Sequence, residues 1–500
     1  MVRTRGGRPT EERCRLIKRA DGLVRQASRL VGSTFHMSGP GYGPPGLTCF
    51  VVVFVLYGWL AWAGWQQREV AGPLNWYTSV MWSLPVVTSS LGLTGVLCAT
   101  SRRRGEAEVV EPQAIVNDLL IVLVPTVARQ DTLIALERVL LSFLQYLPAR
   151  FAQVRVDVVV DEGCEGAADV ARLADQWPIR VITVPRGYRT ARGTRFKARA
   201  NHYAHEQRVA EGQATDDVWV LHMDDDTAVG PETVQALARF ITDQAVAGIA
   251  ACHLGQGVLS FPRELAANRL LWLADAVRPG CDISLFSATT GRGNPWVGLH
   301  GELLLVRAAV EAEIGWDFGP RAIVEDAQFA LEFCARYPGR SDWFAARSYG
   351  ASPATLADFL RQRERWSWGL LTLVTDRTIP RRSRALLFSL VAVWTTAPLQ
   401  HPFFIVVLAV AVGDASTSPV SPLFIPLWSL NMAFCVWLYW EGLKINADAS
   451  ARVGRSWWEL VAIVVLLPLF ALCEAAGVAR GLVKFLRGVD GTFFVITKSG

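Results

Sequence analysis

Two kinds of hydrophobic pattern alternate along this 500-residue chain, with long apolar runs at both ends and short ones in the middle. The first two long runs, 47–65 and 76–100, each have the length that a helix needs to cross a hydrocarbon core of about 30 Å. Basic residues precede the first run and follow the second at 102–104, and such residues favour the cytoplasmic side of a membrane. Residues 47–104 are therefore predicted to form a transmembrane hairpin whose two flanks lie in the cytoplasm.

Apolar runs return after the arginines at 381–384. Runs 420–440 and 457–476 are each long enough to span a membrane as a helix. Run 385–412 carries two prolines, a glutamine and a histidine near its middle, which predicts either one kinked helix or a re-entrant pair. Residues 385–480 are therefore predicted to hold the C-terminal transmembrane segments.

The basic residues beside these later runs give conflicting signals about topology. Those at 444–455 favour the cytoplasmic side, and so do those at 480–487, where the C-terminal tail of 481–500 begins. If runs 420–440 and 457–476 each cross the membrane once, the two basic groups lie on opposite sides and cannot both be cytoplasmic. One of the later segments is therefore expected to be interfacial or re-entrant, and the pattern leaves open which.

The middle of the chain, 111–376, has the pattern of an α/β domain, with short β-rich runs between helical stretches. The runs predicted to be strands are 118–124, 154–160, 180–184 and 218–223. Buried parallel strands have such near-continuous apolar sequences, and ligands bind beyond their carboxyl ends. The predicted fold class is α/β, flanked by transmembrane α-helices.

Composition supports a multi-pass integral membrane protein with the lipid bilayer as a partner. Hydrophobic residues make up 51% of the chain and charged residues only 19%, against about 25% in typical soluble domains. A net charge of +5, with the basic residues beside apolar runs, excludes a nucleic-acid binder. Nine cysteines without a CxxC pair give neither a zinc site nor a disulfide framework and favour a reducing compartment. The basic segment 1–46 is predicted to be disordered, and the late start of the first apolar run favours an uncleaved anchor.

Three consecutive acids follow the last predicted strand, at Asp224, Asp225 and Asp226. Their mutual repulsion costs stability unless a cation neutralises them, and oxygen ligands of this kind suit Mg²⁺ or Mn²⁺. Alternation along an extended chain points Asp224 and Asp226 to the same side. One of the two can then contact a nucleotide sugar while the other holds the metal on its diphosphate. A solvent-exposed acidic turn is the alternative.

A second acidic pair, Glu325 and Asp326, follows a glycine-rich turn. A carboxylate at Asp326 can take the proton of an attacking acceptor hydroxyl, which is the general-base role. Helix capping or a surface position is the alternative for this pair.

Cationic and aromatic residues complete the candidate chemistry. Within the amphipathic stretch 354–375, Arg365 can hold a diphosphate, Gln362 can add a hydrogen bond, and Trp366 offers a flat face for a sugar ring. The same stretch also fits a basic helix lying at the membrane interface. Lys197 and Arg199 can neutralise phosphate oxygens, or can equally lie on a solvated helix face.

The order of these motifs resembles the membrane-bound family 2 glycosyltransferases, which include the cellulose, chitin and hyaluronan synthases. The shared motifs are an acid after an early strand, DxD, ED and QxxRW. Here they fall at Asp161, at Asp224 and Asp226, at Glu325 and Asp326, and at Gln362, Arg365 and Trp366. The resemblance implies a GT-A domain, which is a Rossmann-like nucleotide-diphospho-sugar transferase fold. It also implies that Asp161 lies near the nucleotide base, that Asp326 is the catalytic base and that Arg365 steadies the diphosphate.

A narrower resemblance, over about 118–376, is to the egghead-type β-1,4-mannosyltransferases, which use GDP-mannose. It is carried by the stretches RFKARANHYA, LHMDDDT, CHLGQGVLSF, VEDAQFA and SPATLADFLRQRERWSWGLL. The acidic trio departs from the family's DEE, and the segment 294–302 also differs. His300 and Glu302 in that segment are candidates for contacting acceptor hydroxyls, and a structural role is the alternative for both.

The resulting hypothesis is an inverting glycosyltransferase with a divalent cation, Mn²⁺ or Mg²⁺, a cytoplasmic catalytic domain and a lipid-linked or glycan acceptor. Two alternatives remain open. A processive polysaccharide synthase shares every catalytic motif, although the few C-terminal spans favour transfer of a single sugar. A membrane scaffold or transport protein with an inactive transferase-like domain belongs to another class. The residues alone do not distinguish guanine from uracil in the donor, so GDP-mannose rests on the resemblance.

Overall fold

A computed structural model provides the structure of the chain. It describes residues 46–65, 68–69, 73–106, 115–402, 413, 417–418, 421–450 and 457–489. The N-terminal segment predicted to be disordered lies outside these residues except for Gly46, and the last part of the C-terminal tail also lies outside them.

A seven-stranded mixed sheet forms the centre of the domain. Its strands are β1 Val116–Pro125, β2 Phe151–Asp161, β3 Arg180–Val184, β4 Val218–His222, β5 Leu254–Ser260, β6 Leu304–Arg307 and β7 Ser341–Tyr349. They lie in the order β3-β2-β1-β4-β6-β5-β7. Strand β6 is antiparallel to both of its neighbours, and the other pairs are parallel. The four strands predicted from the sequence are present as one parallel group.

Helices cover both faces of the sheet and continue into the apolar part of the chain. The α-helices with both ends in the described residues are α1 Thr48–Trp65, α2 Pro73–Ser83, α3 Val86–Glu106, α4 Leu133–Tyr146, α5 Ala167–Gln176, α6 Phe196–Ala210, α7 Pro231–Ala247, α8 Arg269–Asp275, α9 Val277–Cys281, α10 Ala308–Ile314, α11 Glu325–Arg336, α12 Leu356–Thr375, α13 Arg381–Thr395, α14 Ile425–Asp448 and α15 Trp457–Leu486. Strand β1 is buried from Leu120 to Val124, which explains its near-continuous apolar sequence.

A buried carboxylate fixes the end of β4. Glu311 of α10 accepts hydrogen bonds from Arg208 of α6 (Nη2 to Oε2, 2.6 Å) and from Trp316 (Nε1 to Oε1, 2.6 Å), and it lies 3.0 Å from His222 Nε2. Burial raises the pKa of Glu311, but Arg208 and His222 outweigh it, so the pKa is well below its usual range. This network holds α6 and the end of β4 together, and both lead to the candidate site.

Three stretches of helix in the described residues are long and apolar enough to cross a membrane, namely Asn75–Ala99, Pro422–Asp448 and Trp457–Leu486. The first combines α2 and α3, which are separated by a turn at Pro85 because proline lacks the N–H that a continuous helix needs. Helix α15 runs ten residues beyond the predicted end of its run.

The run 385–412, predicted to form either one kinked helix or a re-entrant pair, is described only as far as residue 402. Helix α13 ends at Thr395, and after a turn at Thr396 the chain is helical again over 397–402. The remainder of the run lies outside the described residues, so the choice between a kinked helix and a re-entrant pair stays open.

Glycines bring the apolar helices into backbone contact with the segment that follows β5. A Cβ on Gly442 of α14 would lie 1.6 Å from the carbonyl oxygen of Ala276, and one on Gly280 of α9 would lie 2.2 Å from that of Leu438. Such close approach through small residues is typical of packed membrane helices. The sheet domain and α14 therefore pack as one unit.

Candidate active site

Almost all the residues singled out from the sequence line one cavity of about 510 Å³ at the carboxyl ends of the parallel strands. These residues are Asp161, Lys197, Asp224, Asp226, His300, Glu302, Asp326, Gln362, Arg365 and Trp366. Arg199 is the exception and lines a neighbouring cavity. Residues from positions 161 to 366 thus meet where an α/β sheet ordinarily binds its ligand.

The three acids after β4 point in different directions. Asp225 accepts a hydrogen bond from the hydroxyl of Thr126 at 2.6 Å, next to the end of β1. Asp224 and Asp226 instead come together with Glu302. The extended segment expected from the sequence is wrong, because the chain turns at 225–226 and the backbone N–H of Thr227 donates to the carbonyl oxygen of Asp224 at 3.3 Å. Asp226 is buried, and its backbone carbonyl accepts a hydrogen bond from Arg138 of α4 at 3.1 Å.

Glu302 completes an acidic cluster with Asp224 and Asp226, and one carboxylate oxygen of each lies within 4.8 Å of the others. The carboxylate of Glu302 also accepts a hydrogen bond from the hydroxyl of Thr227. Oxygen atoms so arranged are the ligands that Mg²⁺ and Mn²⁺ prefer, so the residues fit a divalent cation. The sequence suggested Glu302 only as an acceptor contact, because nothing in the spacing places it beside residues about 75 positions earlier.

The glycine–glutamine–glycine segment of β5 positions Glu302. Gln256 is fully buried, and its amide donates to the carbonyl oxygen of Glu302 at 3.0 Å while its own oxygen accepts from the backbone N–H of His300 at 3.0 Å. A Cβ on Gly257 would lie 2.1 Å from the side chain of Leu303. The segment GQG therefore holds the 300–303 stretch against the acidic cluster.

Lys197 lies between the acidic cluster and Asp326. Its ammonium group donates to a carboxylate oxygen of Asp224 and, at 3.1 Å, to the carbonyl oxygen of Gly301. Burial lowers the pKa of Lys197, but the negative charges of Asp224, Glu325 and Asp326 outweigh it, so the pKa lies above its usual value. This lysine is a fixed cation at the centre of the cavity.

Asp326 occupies the first turn of α11 and faces the same cavity. Its Oδ1 accepts a hydrogen bond from the backbone N–H of Ala327 at 2.8 Å. A Cβ on Gly301 would lie 3.5 Å from Asp326 Oδ2 and 2.5 Å from Lys197 Nζ, so the ammonium and the carboxylate flank one small gap. Burial and the charge of Asp326 raise the pKa of the adjacent Glu325 to about 7, against the opposing effect of Lys197 and Arg365.

Helix α12 brings Gln362, Arg365 and Trp366 to the cavity, and a buried arginine orients this part of the helix. Arg363 donates to Gln362 Oε1 (2.5 Å), to Asp275 Oδ1 (2.5 Å) and to Glu474 Oε2 (2.8 Å). It is buried. Arg363 was missed in the sequence because a basic residue on an amphipathic helix is ordinarily solvated.

Two guanidinium groups approach the ring of Trp366. The Cζ atoms of Arg278 and Arg363 each lie 4.8 Å from its centroid. This cation–π arrangement reduces the ring area available to a sugar. Packing of Trp366 against a sugar ring stays a prediction.

Asp161 and Arg199 form an ion pair at the edge of the site. Arg199 donates to Asp161 Oδ1 (2.6 Å) and to the carbonyl oxygen of Pro185 (2.9 Å). The Asp161 side chain is 63% exposed and borders both cavities, so it remains open to a ligand. Arg199 is directed away from the acidic cluster.

His300 is held from behind by Asp282. Its Nε2 lies 2.7 Å from Asp282 Oδ1, and Asp282 Oδ2 accepts from the backbone N–H of Leu259 at 3.0 Å. Burial lowers the pKa of His300, but Asp282 outweighs it, so the pKa is raised. His300 lines the cavity, and its contact with an acceptor stays a prediction.

The α/β domain packs on helices apolar enough to cross a membrane, and acidic and cationic side chains converge at the ends of its strands. This arrangement fits an enzyme that acts on anionic ligands. The match to Glycosyl transferase family group 2 covers residues 219–441, from β4 into α14. The chain belongs to this glycosyltransferase family. The predicted family and the GT-A fold class are thereby confirmed, together with the resemblance to the β-1,4-mannosyltransferases.

Curated relatives are similar over part of their length. β-1,4-mannosyltransferase egh of Drosophila melanogaster is 30% identical over 249 residues, which cover 49% of this chain and 50% of that protein. β-1,4-mannosyltransferase bre-3 of Caenorhabditis briggsae is 30% identical over 324 residues, 64% of this chain and 67% of that protein. The aligned region thus spans about half of the first relative and two thirds of the second.

A solved structure with a low overall similarity is the mannosyltransferase PcManGT from Pyrobaculum calidifontis in complex with GDP-Man and Mn²⁺. It is 14% identical, with a TM-score of 0.42, and the match covers 82% of this chain and 99% of that chain.

Proposed function

We propose that the chain is an inverting hexosyltransferase that moves one sugar from a nucleotide-diphosphate donor to an acceptor hydroxyl, and that the donor is GDP-mannose. The observation that carries this proposal is the placement of Asp326 across Lys197 from the cluster of Asp224, Asp226 and Glu302 within one cavity. A base and a site for a diphosphate on opposite sides of a small gap suit an in-line displacement. The β-1,4-mannosyltransferase names of the relatives support the sugar and the linkage.

In the proposed step, Asp326 takes the proton of the acceptor hydroxyl as its oxygen attacks the anomeric carbon. The bond between that carbon and the phosphate oxygen breaks, and its electron pair stays on the leaving nucleoside diphosphate. Lys197 and Arg365 hold the developing negative charge. One displacement inverts the configuration, so an α-linked donor gives a β-glycoside.

Asp224, Asp226 and Glu302 are the residues that would hold a divalent cation, Mn²⁺ or Mg²⁺. When bound, such a cation supplies charge neutralisation for the diphosphate. Asp161 is proposed to contact the nucleotide at the edge of the cavity, and Gln362 to add a hydrogen bond to the donor. Arg199 is proposed to orient Asp161, because it pairs with that carboxylate. Trp366 and His300 are proposed to face the acceptor.

The acceptor is proposed to be lipid-linked, since the cavity extends to Trp394 of α13, among the helices that continue into the apolar part of the chain. In this proposal the protein is multi-pass, and its catalytic domain faces the cytoplasm. The basic flanks of α1 and α3 support that orientation.

The test is to purify the full chain with the substitution Asp326→Asn and to assay its turnover with a panel of nucleotide sugars and Mn²⁺. Loss of a general base is expected to lower turnover by about 100- to 10,000-fold while donor binding is kept. Asp175→Asn, on the exposed face of α5 and outside the cavity, is the matched control and should behave as the wild type. Near-full activity of Asp326→Asn would refute the base, and GDP release from GDP-mannose separates this donor from UDP-glucose.

A further inference from the structure

We propose that helix α15 lies along the membrane surface, with both of its ends on the side of the catalytic domain and its exposed apolar face in the lipid. Helix α15 is the most apolar of the three stretches that are long enough to span. Its 30 residues measure about 45 Å, against a hydrocarbon core of about 30 Å. A helix of this length that crossed the core would leave its two ends on opposite sides of the membrane.

The first turn of α15 is bound to the catalytic domain. The buried carboxylate of Glu459 accepts a hydrogen bond from Arg263 Nη2 at 2.7 Å and pairs with Arg269. Arg263 follows the last residue of β5 by three positions, so this end of α15 lies beside the edge of the sheet domain.

The last turns of α15 are bound to the same domain through α12. Lys484 Nζ lies 2.5 Å from Glu364 Oε1 and 5.4 Å from the ring centroid of Trp368. A Cβ on Gly481 would lie 1.9 Å from Ser367 Oγ, and one on Gly477 would lie 2.5 Å from the Cβ of Arg363. From Gly477 to Lys484, the contacts on α12 move from Arg363 to Trp368, toward the C-terminus of both helices. The second half of α15 therefore runs parallel to α12.

Helix α12 belongs to the catalytic domain along its whole length. It begins seven residues after β7 ends, and Gln362 and Arg365 in its middle line the active-site cavity. Near its C-terminus, Leu373 and Val374 pack with Leu331 of α11. A helix that follows α12 in parallel therefore stays on the side of the sheet.

The exposed face of α15 is apolar except for Arg480 near the C-terminal end, and the other charged side chains lie on the packed face. Its exposed large side chains are Trp457, Trp458, Val461, Val464, Val465, Leu469, Val483 and Leu486. Glu459, Glu474 and Lys484 instead form ion pairs within the protein. This apolar face must contact lipid, and because both ends of α15 are bound on the side of the catalytic domain, the helix lies in the interfacial plane, a depth that suits the two tryptophans. Pro468 lies between the two halves and allows a bend.

This arrangement removes the conflict in the basic residues of the sequence. Those at 444–455 and those at 480–487 fall on one side when α15 does not cross, and both groups favour the cytoplasm. The occupant of the exposed face is therefore the lipid of the same leaflet. The inference does not depend on the identity of the donor or the acceptor.

Protease sidedness on the full wild-type chain tests the proposal. Sealed vesicles that expose the catalytic domain are treated with trypsin, and cleavage between 186 and 195, in the arginine-rich loop after β3, reports that side. Cleavage after Arg455 and after Arg487 is expected in the same intact vesicles. Protection of Arg487 until detergent is added, while the loop is cut, would show that α15 crosses. If Arg487 resists even in detergent, antibody access to an epitope tag after Gly500 decides between the two outcomes.

A pair of lysine substitutions gives a second test of whether α15 lies along the membrane surface. Val465→Lys places a long side chain on the exposed face, where it can extend its charge to the interface if α15 lies in the plane. The yield of membrane-inserted protein is then expected to stay within about two-fold of wild type. Ile463→Lys, buried two residues away, is the control that should fail. Equal loss for both variants would overturn the proposal.

Discussion

The ammonium group of Lys197 pairs with the carboxylate of Asp224, which joins the start of α6 to the end of β4 across the catalytic cavity. A second hydrogen bond, to the carbonyl oxygen of Gly301, fixes the ammonium group from the opposite side. The site thus carries a built-in cation that lies between its acidic cluster and Asp326. Charge-assisted bonds of this kind are short and strongly oriented, so they hold the ammonium group of Lys197 in place.

Gly301→Ala is expected to abolish most activity with little loss of fold. The new methyl group would lie 2.5 Å from Lys197 Nζ and 3.5 Å from Asp326 Oδ2, so the ammonium must move out of the gap. Misplacement of a reacting group by about 1 Å costs on the order of 100-fold in rate. The measurement is kcat and donor KM, with the thermal midpoint as the check on folding.

Gly187→Ala is the matched control, because a Cβ there meets nothing within 4 Å. It should leave both activity and thermal midpoint unchanged. Wild-type turnover in Gly301→Ala would mean that the gap between Lys197 and Asp326 tolerates a methyl group, contrary to the geometry described above.

Glu302→Gln is expected to raise the Mn²⁺ concentration that gives half-maximal activity by about 10-fold or more, because one of three converging carboxylates is neutralised. Chelation with EDTA should stop the wild-type reaction. Asp225→Asn is the comparison, since Asp225 bonds to Thr126 and is not part of the cluster, and its effect should be much smaller. The same metal dependence in both variants would remove Glu302 from the metal site.

Arg363→Met is expected to lower the free energy of unfolding by about 3–5 kcal/mol, because it leaves the fully buried Asp275 with only the longer ion pair to Arg278 at 3.9 Å. The thermal midpoint in detergent and turnover should both fall, and Arg363→Met with Asp275→Asn should recover part of the loss. Arg361→Met on the same helix is the control. Its side chain is 49% exposed and pairs loosely with Asp358 at 3.7 Å, so about 1 kcal/mol or less is expected. Equal effects at the two arginines would contradict the proposed role of the network.

Glu325 predicts a pH dependence of stability. Its pKa in the folded protein is about 7, above the ordinary value of 4.5. A raised pKa favours the protonated folded state, so this contribution is fully present below pH 4.5 and is lost as the pH rises to about 7. Glu325→Gln removes the ionisation. The thermal midpoint of the wild type relative to this variant should therefore fall between about pH 4.5 and 7 and then level off. A constant difference over that range would contradict the raised pKa.

The parallel half of the sheet could be predicted from the sequence and the other half could not. Strands β1, β2 and β4 are buried on both faces over 120–124, 156–160 and 218–222, where their sequences are almost continuously apolar. Strand β3 is a short apolar run at the edge of the sheet. Strand β5 contains two glycines and a glutamine, residues that are poor strand formers, although it is fully buried. Its glycines are required because Phe240, Phe344 and Leu303 occupy the space of their side chains. That requirement depends on neighbours far away in the sequence.

The same limit applies to the site. Asp224, Asp226 and Asp326 could be proposed because each follows a recognisable motif, and the structure brings them into one cavity. The position of Glu302 depends on the bonds of Gln256 to the 300–303 stretch, and the role of Arg363 depends on Asp275 and Glu474. These partners lie between 46 and 111 residues apart in the sequence. Spacing along the chain does not encode them.

The glycine contacts of α14 determine whether the catalytic domain can be prepared as a fragment without the apolar helices. Because Ala276 meets Gly442 backbone to backbone, and because Asn446 Oδ1 accepts from the N–H of Phe261 at 2.8 Å, α14 supplies part of the catalytic domain's own interior. A fragment ending at Asp376 would lack the apolar helices that follow. It would therefore expose Trp272 and Phe359, which those helices cover in the full chain. Aggregation of that fragment is the expected result, so the enzyme must be studied in detergent or lipid with its last two helices attached.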